Sequence, residues 1–244
     1  QFTYSMLTRS QRISHENLRL RDPRGIETFE RWFAEQAGLQ LGKDEKLPSP
    51  MFTPYTLGGM KLKNRIVFSP TLTYSAVDGV PRDFHQTHYG ARALGGAALV
   101  MVEQTAVSET GRVTPGCTGL WNDEQAEAWN CIVQHVKESG ACIGIQLGHA
   151  GSRGSTQVGW EKAGTPLKEG NWSLVSASAI PYEQSNGLAP EELSHSRMKE
   201  VIQEFVSAVK LADKAGFDCI ELQAAHGYLL SAFISPLTNQ RDDE

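Results

Sequence analysis

The sequence has few cysteines and no CxxC pair. Its four thiols, Cys117, Cys131, Cys142 and Cys219, stand far apart in apolar or helical contexts. That spacing argues against a disulfide framework or a zinc site and predicts reduced, buried thiols in a cytoplasmic protein, with no metal. No apolar run approaches the ~18 residues that a membrane helix needs. No basic-then-apolar segment leads the chain, which opens on Gln1. Neither sign of charge is concentrated: 23 basic and 28 acidic residues give a net charge of −5. There is thus no basic stripe for nucleic acid and no acidic tail suggesting disorder. What remains is a chain of 244 residues, 40% hydrophobic, long enough to bury a sizeable core.

Residues 1–38 read as a separate helical piece. In "DPRGIETFERWFAEQAG" Asp22 is the N-cap candidate, Pro23 takes the first helical position and Gly38 stops the run. Ile26, Phe29, Trp32 and Phe33 form its apolar stripe. Residues 39–50 read as a linker. From Met51 onward, a short strand, a turn at Gly58 and Gly59 and a second strand lead into a repeating unit of helix, glycine stop and apolar strand. The last of these helices carries a stripe of Met198, Val201, Ile202, Phe205, Val209 and Ala212, and Gly140 and Gly216 fall where left-handed C-caps belong.

Alternating strands and helices imply right-handed crossovers and a parallel sheet in an α/β fold. A doubly wound sheet and a (β/α)8 TIM barrel both satisfy this. Polar residues decide between them, because they enter at the C-terminal end of each strand, where a barrel builds its site: Ser69 and Thr71, Glu103 and Gln104, Gln146 and His149, Gln223 and His226. There is also no GxGxxG after the first strand. Only about four barrel strands are present, near 64–70, 98–105, 142–148 and 218–224. The expectation is therefore the N-terminal half of a barrel over residues 51–244, in a chain cut from a longer polypeptide.

Three stretches carry candidate chemistry. In "IELQAAHGYLL" Glu221 and Gln223 point into the barrel, and His226 and Tyr228 follow on the loop above. A histidine can donate to a carbonyl oxygen and a tyrosine can deliver a proton to carbon, which suits reduction of a conjugated C=C bond; a satisfied loop histidine beside a rim aromatic fits equally. In "IGIQLGHAG" Gln146 offers a donor and an acceptor to an amide-bearing ring, or else is satisfied by backbone. In "NRIVFSPTLTYSA" the backbone at Ser69, Pro70 and Thr71 can meet a planar ring, and Tyr74 either lines the substrate side or packs in its loop.

Taken together and in order, "NRIVFSP…YSA", "HYGARALGGAALV", "GLWNDEQ", "IGIQLGHAG" and "HGYLLSAFISPLTNQRDDE" resemble the Old Yellow Enzyme family, the NADH:flavin oxidoreductases. The resemblance implies an FMN-dependent ene-reductase barrel that uses NADH or NADPH as reductant. It implies that Ser69, Pro70, Thr71, Leu72, Gln104 and Gln146 lie against FMN. Gln223 and His226 would hold the substrate carbonyl, Tyr228 would supply the proton, and Tyr74 would face the substrate. Two positions depart from the family pattern: Leu72 replaces a cysteine or threonine, and Gln223 replaces a histidine. These departures keep open a barrel that binds FMN or docks a partner without ene-reductase activity. Residues 2–23 are similar to the tail of the monooxygenase half of anthraniloyl-CoA monooxygenase/reductase and salicylyl-CoA hydroxylase fusions. That likeness implies FAD in a preceding domain and a CoA thioester substrate. A homodimer of the full-length protein is a separate expectation. The dienoyl-CoA reductase branch, whose iron–sulfur cysteines would lie further along, is the remaining alternative.

Overall fold

The computed structural model describes residues 2–9, 22–40, 42, 45–182 and 187–243. Residues 10–21, which carry much of the likeness to a monooxygenase tail, lie outside the described residues, as do 41, 43 and 44 of the expected linker. Helix α1 spans Phe2–Thr8 and α2 spans Pro23–Gln36. Helix α2 begins as its sequence predicts, with the Asp22 carboxylate accepting from Gly25 N at 2.9 Å and Pro23 in the first turn. Its buried face differs from the aromatic stripe. Ile26, Glu30 and Ala34 are buried, whereas Trp32 is 53% exposed. Arg9 accounts for this: Nε meets Glu30 Oε1 at 2.6 Å and Nη2 donates to Leu47 O at 2.7 Å. Leu47, Ser49 and Pro50 are also buried, and Ser49 Oγ donates to Leu7 O. The end of the expected linker is thus packed in place.

A 3-10 turn at Pro50–Phe52 leads to a hairpin of β1 (Tyr55–Leu57) and β2 (Met60–Leu62). Then follow β3 (Val67–Phe68), α3 (Asp83–Leu94), β4 (Leu99–Ala106), α4 (Asp123–Glu138) and β5 (Cys142–Gly148). A long excursion carries two short strands, β6 (Val175–Ser176) and β7 (Glu191–Glu192). Helix α5 (His195–Ala215), β8 (Cys219–Leu222) and α6 (Leu229–Ile234) complete the order. Gly140 and Gly216 take positive φ after α4 and α5, as C-caps require.

The central sheet is parallel, in the order β3-β4-β5-β8. Each strand is added on the same side of the last. A doubly wound sheet would reverse direction at its switch point, so this winding is that of a barrel wall. Helices α3, α4 and α5 cover one face over a core that includes Tyr89, Val102, Trp129, Ile143, Ile145 and Ala208. The other face is narrow: Leu62 from the hairpin meets Leu99 and Met101, with Cys142 and Cys219 beside them. A Cβ on Gly144 would stand 2.4 Å from both Met101 Sδ and Cys219 Sγ, so glycine is needed for these sulfurs to close the interior.

Three expectations need correction. Strand β3 keeps two ladder residues where seven were expected: Ile66 N donates to Asn64 Oδ1 rather than to a neighbouring strand, and at the other end Pro70 has no N–H to pair. Of the four free thiols only Cys117 is buried. Cys131 is exposed, and Cys142 and Cys219 are half-buried on the inner face of the sheet. The α5 stripe divides. Val201, Ala208, Ala212 and Ala215 are buried, while Ile202, Val206 and Val209 are exposed, as are Ile220 and Leu222 on β8. Among the described residues no helix is long and apolar enough to cross a membrane.

Candidate active site

The geometry at the strand ends begins with an irregularity. Strict alternation from Leu99 and Met101 would turn residue 103 inward. The register of β4 on β5 shifts between Val102 and Gln104. A bulge of this kind re-aims the side chains around it. Glu103 therefore faces outward toward α3, and Gln104 lies opposite Gln146.

Two glutamine amides, one carboxylate and one backbone N–H then form a line across the mouth. Gln146 Nε2 donates to Glu221 Oε1 at 2.5 Å, Gln223 Nε2 donates to Gln146 Oε1 at 3.1 Å, and Ala225 N donates to Gln223 Oε1 at 2.9 Å. Each glutamine retains hydrogen-bonding capacity, since an amide has two N–H groups and two lone pairs. Gln104 is 4% exposed, and its buried Oε1 has no protein partner among the described residues. Its amide lies across Gly148, where a Cβ would stand 2.9 Å away.

Pro70, Leu72, Gln104, Gln146, Gln223, His226 and Tyr228 line one cavity of about 190 Å³. Ser69 and Thr71 are exposed and do not line it. Tyr74 lines an adjoining cavity of about 100 Å³, which shares Tyr228. His149 lines neither; it is 1% exposed, and burial lowers its pKa to about 4, leaving it a neutral structural imidazole.

His226 and Gly227 both take positive φ, +58° and +68°. This left-handed step brings the His226 and Tyr228 rings within 6.0 Å of each other, centroid to centroid. A non-glycine residue held there is strained, which is common where a side chain must be aimed. His226 is exposed and Tyr228 is buried against Leu72 and Tyr74. Desolvation pushes the Tyr228 phenol up to about 12, with Arg153 opposing the shift. Tyr228 therefore holds its proton throughout the neutral range.

The loop carrying Leu72 and Tyr74 is fastened from behind. Glu103 accepts from Thr73 N at 3.0 Å, Thr73 Oγ1 at 2.6 Å and Tyr89 Oη at 3.0 Å. His85 Nδ1 accepts from Arg82 N, which leaves the proton on Nε2, 3.5 Å from Glu103 Oε1. Burial holds the His85 pKa near 4, so the ring is neutral, and burial also raises the Glu103 carboxyl. Tyr74 itself sits at φ +52°. Gly116 allows the loop to close, because a Cβ there would stand 2.4 Å from Tyr74 O. Periodicity could mark Glu103 only as an acid in an apolar strand; its outward aim depends on the bulge. Arg153, Tyr182 and the pairing of Glu221 with Gln146 escaped the sequence reading. No local pattern signals a lone arginine or tyrosine in a long excursion.

A parallel sheet wound in one direction, with amides, an imidazole and a phenol around one cavity at its strand ends, is a barrel-like α/β fold with a polar cavity. The chain belongs to the NADH:flavin oxidoreductase / NADH oxidase family, whose model matches residues 50–244. It is 42% identical over 196 residues to an NADPH dehydrogenase of Geobacillus thermodenitrificans (strain NG80-2), covering 80% of this chain and 53% of that protein. It is 43% identical over 196 residues to an NADPH dehydrogenase of Bacillus subtilis (strain 168), covering 80% and 54%. Among solved structures it is similar to morphinone reductase, with a TM-score of 0.70 and 29% identity over 79% of this chain and 52% of that one. It is also similar to Old Yellow Enzyme from Pichia sp. AKU4542, with a TM-score of 0.69 and 27% identity over 79% and 50%. The chain thus spans about half the length of the curated relatives it matches.

Proposed function

We propose that this chain is the N-terminal half of an FMN-dependent ene-reductase barrel, which moves hydride from NADH or NADPH to a conjugated carbonyl compound. The observation that carries the reading is the single cavity joining Gln146, His226 and Tyr228 to Pro70, Leu72, Gln104 and Gln223. The site is suited to a flavin: the buried, unpartnered Gln104 Oε1 and the spare amide capacity of Gln146 match the alternating donors and acceptors of a pyrimidine edge. FMN bound there supplies hydride-transfer chemistry; the protein orients and tunes it.

Within that scheme Pro70 and Leu72 wall the ring, Gln104 and Gln146 hold its polar edge, and Ser69 and Thr71 contribute backbone only. His226 and the free N–H of Gln223 donate to the substrate carbonyl oxygen. Tyr228 gives its proton to the α-carbon, while Tyr74 faces the rest of the substrate. Overall, the C=C bond gains a hydride and a proton, and the nicotinamide is oxidised. The exposed apolar side chains of α5 and β8, on an edge strand with unpaired backbone, support a barrel continued by further βα units.

The likeness of residues 2–23 to a monooxygenase tail supports a fusion with an FAD-bearing domain and an aryl- or enoyl-CoA substrate, and the separated cysteines support a cytoplasmic setting. The test is anaerobic: NADPH should bleach the flavin of the full-length protein, and a conjugated enone should restore its colour. Bleaching that only oxygen reverses would overturn the ene-reductase assignment.

A further inference from the structure

We propose that the cavity beside Tyr74 is an anion subsite, in which Arg153 receives a carboxylate or phosphate group of the molecule bound in the mouth. The cavity holds about 100 Å³ and lies among Tyr74, Arg153, Thr156, Tyr182 and Tyr228. That is room for a small polar group, since one water needs only ~10–15 Å³.

Arg153 is fixed in place by aromatic rings. Its guanidinium lies 4.2 Å from the centroid of Tyr182 and 5.3 Å from that of Tyr228. Nη1 donates to His226 O at 2.5 Å, and no acid pairs with Arg153 among the described residues. A guanidinium carries five N–H donors in a rigid fork, so most of that fork is free for a ligand oxygen. Three other arginines have their anions: Arg9 meets Glu30, Arg197 meets Glu200 and Glu204, and Arg241 meets Glu192 and Asp243. Arg65 is also held by two rings, of Phe33 and Tyr55, but it does not line this cavity. Tyr74, Tyr182 and Tyr228, each of which carries a hydroxyl donor, line the same space. A pre-positioned cation whose one protein acceptor is a neutral carbonyl, with no acid beside it among the described residues, is matched by an anion.

The subsite rests on the proposed function only in sharing Tyr228 with the mouth. It would favour acceptors that carry an acid group beyond the enone, or a nicotinamide nucleotide with a phosphate placed there. The test is calorimetric titration of the flavin-loaded full-length protein with benzoate and with benzamide, which differ in charge and little in shape. Benzoate is expected to bind about tenfold or more tightly than benzamide. Arg153→Met should bring the two within about twofold, and Arg153→Lys should restore most of the preference.

No preference in the unaltered protein, or one that survives Arg153→Met, would overturn the subsite. If Arg153→Met does not fold, Tyr182→Phe decides. It keeps the ring over the guanidinium and removes one donor, so the preference should fall severalfold; an unchanged preference would count against the subsite. Titration with NADP+ separates the two sources. A matching loss in Arg153→Met assigns the subsite to the nucleotide's phosphate; an unchanged affinity assigns it to an acid group of the acceptor. Neither aromatic probe turns over, so a failure of enone reduction would count against the proposed function and not against the subsite.

Discussion

Replacing Tyr228 by phenylalanine is expected to slow enone-dependent reoxidation of the reduced protein by about 10²–10⁴-fold, while reduction by NADPH stays within a few-fold. The phenol is buried between Leu72 and Tyr74, faces the same cavity as His226, and has its pKa pushed up to about 12 by desolvation. It therefore stays protonated, and able to donate, at any pH well below that value. The reoxidation rate should consequently show no loss assignable to this group as pH rises from 6 to about 10, and should decline only as pH approaches about 12. Stopped-flow absorbance of the flavin, with the two half-reactions measured separately, checks both statements. An equal slowing of both half-reactions would mean that the phenylalanine variant disturbs the cofactor site rather than proton delivery.

Glu103→Ala should have the largest effect among substitutions outside the two cavities. It removes the acceptor of Thr73 N, Thr73 Oγ1 and Tyr89 Oη at once, in a place with no exposure to water. An abandoned buried donor costs about 1–3 kcal/mol. The sum is not additive, and roughly 3–5 kcal/mol is expected, read as a lower denaturation midpoint. The functional effect should follow the loop: Leu72 and Tyr74 lose their rear support, so KM for the enone should rise more than kcat falls. Glu103→Gln keeps an acceptor for Thr73 and should recover part of both. Hydrogen exchange at residues 72–74 distinguishes this from general loosening, because only that loop should lose protection at mild destabilisation.

Much of the scaffold is legible in the sequence because the signals are local. The strands at β4 and β5 open as apolar runs, α5 has a clear periodicity, and Gly140 and Gly216 mark helix ends that the structure caps with positive φ. The gathering of Gln146, Gln223, His226 and Tyr228 follows from their places at strand ends. What was not legible depends on distant partners. The bulge that turns Gln104 inward is visible only once Tyr89 and Glu103 are seen to meet. The inward face of α2 was set by Arg9 and Glu30 rather than by its aromatics. The excess apolar surface on α5, Ile202 and Val209, made the stripe look wider than the face that this chain covers.

The central claim is that the amides of Gln104, Gln146 and Gln223 and the pair His226 and Tyr228 enclose one flavin-and-enone site. The measurement closest to it is the structure of the full-length protein with its extracted and identified flavin restored. The expected result is FMN with its pyrimidine edge on Gln104 and Gln146, and with Tyr228 and His226 over its open face. A protein that purifies without flavin and takes up none, or a flavin seated away from Gln146, would contradict the account.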